Sequence, residues 1–210
     1  MNVFVLSTGR CGSTTFIEAC KHITNYTCGH ESRSAMLGEA RLDYPENHIE
    51  ADNRLSWLLG RLDKKYNNKA FYVHLKRNES DTARSFTKRY SLGIMRAYRG
   101  SGILMDLPEQ SDPMSVSLDY CNTVNSNIEL FLKDKSQKIT LDLENIESDF
   151  IKFCQLIDAE GDISAAIAEF ESDYNSTKQI DEKKPKNPLL GTLIKFKRAI
   201  VKFPSYIKYV

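Results

Sequence analysis

The beginning of the chain constrains its fold most strongly, because an apolar run there passes into a loop rich in glycine and hydroxyl groups. Residues 3–6 (Val-Phe-Val-Leu) form a continuous apolar run, which is typical of a strand buried on both faces. Residues 16–24 have the pattern of a helix. Residues 8–15 between them read Thr-Gly-Arg-Cys-Gly-Ser-Thr-Thr. The sequence therefore predicts a strand, a glycine loop and a helix in succession.

A junction of this kind is suited to holding a phosphate group. Glycines let the backbone approach an anion, and the N–H groups and dipole at the start of a helix favour negative charge. An arginine adds a charge-assisted hydrogen-bond fork, and hydroxyl groups add further donors. A tight turn with a helix cap is the structural alternative. The candidate anion-binding residues are Arg10, Cys11, Gly12, Ser13, Thr14 and Thr15.

Length and charge exclude several classes of protein. A chain of 210 residues is long enough for one α/β domain with a sizeable core. Its 29 Lys and Arg residues nearly balance 28 Asp and Glu residues, so no overall basic field points to nucleic acid. No stretch has the roughly 18 apolar residues of a membrane span, and no leader pattern precedes the first strand. The five cysteines lack metal-binding spacing, which favours reduced thiols and a cytoplasmic location.

Helix and strand patterns alternate along most of the chain. This alternation predicts an α/β fold with a central, mostly parallel sheet flanked by helices. Residues 25–44 are predicted to be irregular, and residues 93–113 to form a loop. The predicted strands are 70–75 and 138–143, and the predicted helices are 53–66, 79–91, 114–134, 145–157 and 162–173.

A second group of candidate residues follows the strand predicted at 70–75. Arg77 stands at the carboxyl end of that strand, on the same sheet edge as the glycine loop. Ser85 and Arg89 lie four residues apart and share one face of the following helix. These three side chains are predicted to converge on a second phosphate, and a solvated basic helix is the structural alternative.

Together the two groups resemble the sulfotransferases that use 3′-phosphoadenosine 5′-phosphosulfate, and the resemblance covers about residues 2–91. It implies a P-loop-like three-layer fold in which loop 8–15 holds the 5′-phosphosulfate. It also implies that Arg77 and Ser85 hold the 3′-phosphate, which stays on the product adenosine 3′,5′-bisphosphate. The function that it implies is transfer of a sulfuryl group to a hydroxyl acceptor, without a metal ion.

Residues 28–33 (Cys-Gly-His-Glu-Ser-Arg) are most similar to a segment of the tyrosylprotein sulfotransferases. The resemblance implies that Glu31 is the general base and that Arg33 faces the acceptor, and it gives Arg89 a counterpart. His30 replaces an acidic residue of that group and is an alternative base or substrate contact. Arg54 lies in a region that looks similar to a lysine-bearing turn of those enzymes, and could reach the sulfuryl or leaving-group oxygens. The acceptor itself stays open among carbohydrates, lipids, peptides and small alcohols.

Two other functions compete with sulfuryl transfer. A small-molecule kinase with a degenerate P-loop is disfavoured because Ser13, and not lysine, follows Gly12, and because Asp142 is the one weak candidate for a Walker-B aspartate. A non-catalytic binding module that kept the pocket is disfavoured by the presence of Glu31. The oligomeric state is left open.

The C-terminal segment 187–210 mixes apolar residues with Lys and Arg and contains no acidic residue. A basic amphipathic segment of this kind docks on its own domain or lies on an anionic membrane surface. We expect docking on a single α/β domain formed by residues 1–186, with peripheral membrane contact as the alternative.

Overall fold

A five-stranded parallel sheet forms the centre of the computed structural model, which describes residues 1–171. Three of the strands follow apolar or alternating sequence, as buried strands do. The strands are β1 (Val3–Leu6), β2 (Thr27–His30), β3 (His48–Ala51), β4 (Phe71–Lys76) and β5 (Lys138–Asp142).

The strand order is β2-β3-β1-β4-β5, and every neighbouring pair is parallel. Strand β1 lies in the middle, where Val3 is in register with Ile49 of β3 and with Phe71 of β4. The carboxyl ends of these three strands therefore meet at one edge of the sheet. This arrangement confirms the predicted α/β fold with a parallel sheet.

Helices cover both faces of the sheet and produce three layers. The helices are α1 (Ser13–Cys20), α2 (Leu59–Tyr66), α3 (Glu79–Thr87), α4 (Gly93–Ala97), α5 (Pro113–Leu132), α6 (Ile146–Leu156) and α7 (Ile163–Ala168). Val3 and Val5 of β1 face a core shared with α1, α6 and α7, whereas Phe4 and Leu6 face a core shared with α2, α3, α4 and α5. The alternation follows from the two-residue period of a strand.

Three of the predicted elements need correction. The segment predicted to be irregular contains β2 and ends in a 3₁₀ helix, Gly38–Leu42. The helix predicted over 53–66 is divided into a 3₁₀ helix, Asn53–Trp57, and α2. The predicted loop at 93–113 contains α4 and a π-helical turn, Tyr98–Gly102. Strand β3 was not predicted, because its buried Glu50 interrupts the apolar pattern.

None of the helices within residues 1–171 combines the length and the hydropathy that a membrane span requires. The predicted behaviour of segment 187–210, and the domain boundary predicted at residue 186, lie outside the described residues.

Candidate active site

The glycine loop between β1 and α1 has an unusual backbone conformation. Gly9, Arg10 and Gly12 have φ angles of 83°, 61° and 79°, in the left-handed region that glycine adopts most easily. Helix α1 starts at Ser13, and Gly12 at its N-cap provides no side-chain hydrogen bond. The N–H groups of a first helical turn have no carbonyl partners within their helix. The loop and helix start thus form a backbone site for an anion.

Contacts from distant elements hold this loop in place. The Tyr120 hydroxyl of α5 donates to the Thr8 carbonyl oxygen at 2.7 Å, and Asn53 Nδ2 donates to the same oxygen at 3.4 Å. Cys11 points into the core, where its Sγ lies 3.1 Å from Thr8 Oγ1. Burial raises the pKa of the Cys11 thiol. Within the loop, Cys11 therefore offers its backbone to a ligand rather than its side chain.

Three arginines gather beside the loop. Arg10 Nε donates to Ser85 Oγ of α3 at 2.9 Å, and Arg77 Nη1, at the end of β4, donates to the Arg10 carbonyl oxygen at 3.5 Å. The pKa of Arg10 is lowered, first by burial and then by the positive charges of Arg89 and Arg77. The structure thus brings together the two groups of candidate anion-binding residues, because Arg10 of the glycine loop contacts Ser85 of the group that follows β4.

The Arg89 guanidinium carries two buried donors, Nε and Nη2, that have no hydrogen-bond partner among residues 1–171. Burial lowers the pKa of this side chain. A buried donor without an acceptor costs free energy, and the cost is larger on a charged group. An anionic ligand beside Arg89 would supply acceptors and neutralise part of the repulsion among the three arginines. The donor set therefore fits a phosphate-bearing ligand.

Glu31 and Arg54 form an ion pair on the other side of the loop. Glu31 Oε2 lies 2.7 Å from Arg54 Nη1, and the two side chains are 35% and 39% exposed. Glu31 follows β2 directly, has a φ angle of 51°, and donates its N–H to the Ala51 carbonyl oxygen at 3.0 Å. Asn53, next to Arg54, contacts the glycine loop, so this pair and the arginine cluster share one edge of the sheet.

His30 and Arg33 flank Glu31 and have different contacts. His30 Nε2 lies 3.1 Å from Ser13 Oγ at the start of α1, and its side chain is exposed. Arg33 Nη1 donates to the Ala40 carbonyl oxygen at 3.0 Å, and its guanidinium lies over the Tyr44 ring, 5.5 Å from the centroid. In this structure His30 thus contacts the anion-binding loop, whereas Arg33 stabilises its own segment.

Asp52, which immediately follows β3, positions Arg54. Its Oδ1 accepts the Arg54 N–H at 2.8 Å, which caps the 3₁₀ helix, and its Oδ2 pairs with Arg41. Burial raises the pKa of Asp52, while the Arg54 N–H and the Arg41 charge oppose that shift. Only the fold shows that its second oxygen binds a buried arginine.

A cavity of about 620 Å³ opens next to Arg77, beyond the carboxyl ends of β4 and β5. Amide and carboxylate side chains from α5 and from the turn after β5 line it, among them Asn125 and Glu144. It extends the candidate site along the same sheet edge. Within the described part of the chain, no cluster of three or more His, Cys, Asp or Glu residues is arranged to hold a metal ion.

Solved structures with a similar fold include the sulfotransferase domain from the curacin biosynthetic pathway. The identity is 14%, the TM-score is 0.56, and the match covers 83% of this chain and 79% of that domain. The chain folds like a sulfotransferase. Mouse sulfotransferase SULT7A1 complexed with PAP also matches, with 14% identity, a TM-score of 0.45, and coverage of 86% of this chain and 62% of that protein.

No protein-family model matches the chain. A search of curated proteins also gives no match.

Proposed function

We propose that this protein transfers a sulfuryl group from 3′-phosphoadenosine 5′-phosphosulfate to a hydroxyl acceptor. The observation that carries the proposal is the arginine cluster beside the glycine loop. There Arg10 bonds to Ser85, and Arg89 has two buried N–H donors without a partner in the described part of the chain. The sulfuryl donor 3′-phosphoadenosine 5′-phosphosulfate carries two separate anionic groups, the 5′-phosphosulfate and the 3′-phosphate. The loop and the cluster offer two adjacent anion sites on a fold shared with sulfotransferases.

In the proposed complex, the loop N–H groups and the hydroxyl groups of residues 13–15 bind the 5′-phosphosulfate. Arg77, Ser85 and Arg89 bind the 3′-phosphate, and Arg10 lies between the two sites. Sulfuryl transfer, like phosphoryl transfer, spreads charge over peripheral oxygens, so positioned positive charge supplies most of the rate. The bound donor provides the sulfuryl group and a phosphate leaving group.

The acceptor hydroxyl must lose its proton during the reaction, and we assign this proton to the Glu31 carboxylate. Glu31 is the partly exposed carboxylate beside the loop, and a general base must lie within hydrogen-bond reach of its substrate. Arg54 pairs with Glu31 before the substrates bind, and in the complex it is free to turn to the sulfuryl oxygens. His30 is the alternative base, because it contacts Ser13 at the same edge.

Ligand-induced thermal stabilisation tests the donor assignment. We expect adenosine 3′,5′-bisphosphate to raise the melting temperature in the absence of magnesium, because a ligand that binds only the folded state stabilises it. Stabilisation by Mg-ATP alone would support a kinase instead and would contradict the proposal. Stabilisation by the bisphosphate without transfer to any acceptor would indicate a binding module.

Transfer from the radiolabelled donor to a panel of acceptors tests the reaction. The panel comprises carbohydrates, lipids, small alcohols and tyrosine peptides, the last because residues 28–33 resemble the tyrosylprotein enzymes.

We also propose a cytoplasmic location, since all five cysteines are free thiols. For segment 187–210, binding to anionic vesicles by the full chain and by residues 1–186 separates docking from membrane contact.

A further inference from the structure

A fully buried carboxylate contacts the residue that follows the proposed base in the sequence. Glu50, on β3, is 0% exposed. His48 and Glu50 are two residues apart on this strand, so their side chains lie on the same face of the sheet. A buried carboxylate is tolerated only when hydrogen bonds replace its hydration. The position of Glu50 therefore depends on the groups that contact it.

Both carboxylate oxygens of Glu50 bind the residue that follows Glu31. Oε1 accepts the Ser32 N–H at 2.7 Å, and Oε2 accepts the Ser32 hydroxyl at 2.6 Å. His48 Nε2 lies 3.1 Å from Oε2, and the other ring nitrogen of His48 lies 2.8 Å from Thr27 Oγ1. Glu50 thus holds Ser32 through two short hydrogen bonds and is itself held by His48.

These bonds fix the peptide that carries the proposed base. Glu31 donates its own N–H to the Ala51 carbonyl oxygen at 3.0 Å, while the next N–H is bound by Glu50. Between these two bonds Glu31 adopts a φ angle of 51°, a conformation that costs energy for a residue other than glycine. Such a conformation persists where its surroundings impose it. The Glu50 contact helps to impose it here, together with the Ala51 contact and the Ser34 N–H, which donates to the Glu31 carbonyl oxygen at 3.2 Å.

Gly29 shows that the chain leaves room for this carboxylate. A Cβ atom at position 29 would lie 2.6 Å from Glu50 Oε2 and 3.0 Å from the Ser32 Cβ. The backbone φ angle at Gly29 is not positive, so conformational freedom does not require glycine here. The need for space beside Glu50 and Ser32 accounts for it.

We propose that Glu50 is a positioning residue that acts through Ser32 to aim the Glu31 carboxylate at the acceptor hydroxyl. The inference rests on the proposed function. Glu50 itself has no access to a substrate, because its side chain is completely buried. A misplacement of about 1 Å at a reacting group costs up to a hundredfold in rate. Loss of the Glu50 contact should therefore lower kcat and leave binding of the sulfuryl donor unchanged.

A double-mutant cycle between Glu50 and Glu31 tests the proposal. We expect Glu50→Ala to lower kcat by about 10- to 100-fold with an unchanged KM for the donor. Glu50→Gln should retain most of the activity, because its amide can still accept the Ser32 N–H and donate to the hydroxyl. In a Glu31→Gln background, Glu50→Ala should cause almost no further loss, because the side chain that it positions is gone.

Two serine variants keep the test decisive if Glu50→Ala does not fold. Ser32→Ala removes one of the two bonds from an exposed residue and should lower kcat severalfold, whereas Ser34→Ala removes a hydroxyl from the same segment and should leave kcat unchanged. The inference is overturned if Glu50→Ala folds and keeps its kcat. It is also overturned if Glu50→Ala or Ser32→Ala lowers kcat by the same factor in the wild-type background and in the Glu31→Gln background. Wild-type turnover in Glu31→Gln would instead refute the base assignment, and no transfer by the wild type would refute the proposed function.

Discussion

Replacing Arg89 with methionine should make the unliganded protein more stable and make it bind its ligand more weakly. The two buried donors of Arg89 lack acceptors within residues 1–171, and its charge lies close enough to Arg10 to lower the Arg10 pKa. Methionine keeps an unbranched apolar stem and removes both the donors and the charge. The substitution thus removes an unfavourable group from the unliganded protein and a favourable one from the complex with the bisphosphate.

The size of each effect follows from the hydrogen bonds concerned. A buried donor without a partner costs about 1–3 kcal/mol. Because Arg89 is only partly buried, we take the lower end, about 1 kcal/mol, which corresponds to a rise in melting temperature of about 2–4 °C for a chain of this size. Hydrogen bonds to a charged group contribute about 1.5–3 kcal/mol, so the dissociation constant for adenosine 3′,5′-bisphosphate should rise about 10- to 150-fold.

Calorimetry measures both quantities on the same sample, by thermal unfolding without ligand and by titration with the bisphosphate. Lys88→Met is the matched control, because Lys88 is the exposed neighbour of Arg89 and should change neither quantity by much. The reasoning is refuted if Arg89→Met lowers the melting temperature of the unliganded protein while the affinity for the bisphosphate stays at the wild-type value. That result would mean that Arg89 supports the fold and does not bind an anion.

Three further predictions concern other parts of the site. Arg77→Ala and Ser85→Ala should each weaken binding of the bisphosphate by about 1–3 kcal/mol and leave binding of a 3′-dephospho analogue nearly unchanged. Equal losses of affinity for both ligands in a titration would contradict the assignment of the 3′-phosphate site. Glu31→Gln should lower turnover by about 10²–10⁴-fold and keep bisphosphate affinity within a few-fold, and a large loss of affinity would show that Glu31 is structural. In the native protein, iodoacetamide should modify Cys28 before the other four cysteines, which are buried, and more slowly than a free thiol, because partial burial raises the Cys28 pKa. Mass spectrometry of the labelled peptides checks this order, and earlier labelling of Cys11 would contradict it.

The residues that could be predicted from the sequence are those that follow regular patterns. The apolar run before the glycine loop predicts β1, and Arg77 marks the end of β4 because an apolar strand precedes it. Helical spacing assigned Ser85 and Arg89 to one face of a helix, but α3 ends at Thr87, so Arg89 lies in the turn beyond it. Ser85 still contacts Arg10 at the loop, and the charge of Arg89 is close enough to lower the Arg10 pKa. The roles in catalysis and binding assigned to these residues stay predictions.

The remaining parts of the site depend on contacts that no local pattern encodes. Strand β3 was missed because Glu50 lies where a buried strand normally carries an apolar residue, and the bonds that make this possible come from Ser32, 18 residues earlier. Strand β2 was missed because it is short, polar and half-buried. The contact between Arg10 and Ser85 spans 75 residues, so spacing alone could not show that the two candidate anion sites meet.

The hydrogen bond from Tyr120 to the Thr8 carbonyl joins residues 112 positions apart, and it links the glycine loop to the longest described helix. Proteins open locally in cooperative units whose members hold one another in place. When α5 detaches in a partial unfolding event, the loop loses a buried partner and opens more easily, although Asn53 still contacts it. Amide hydrogen exchange in β1 and in the middle of α5 should accordingly slow together when a ligand occupies the loop, although no atom of that helix needs to touch the ligand.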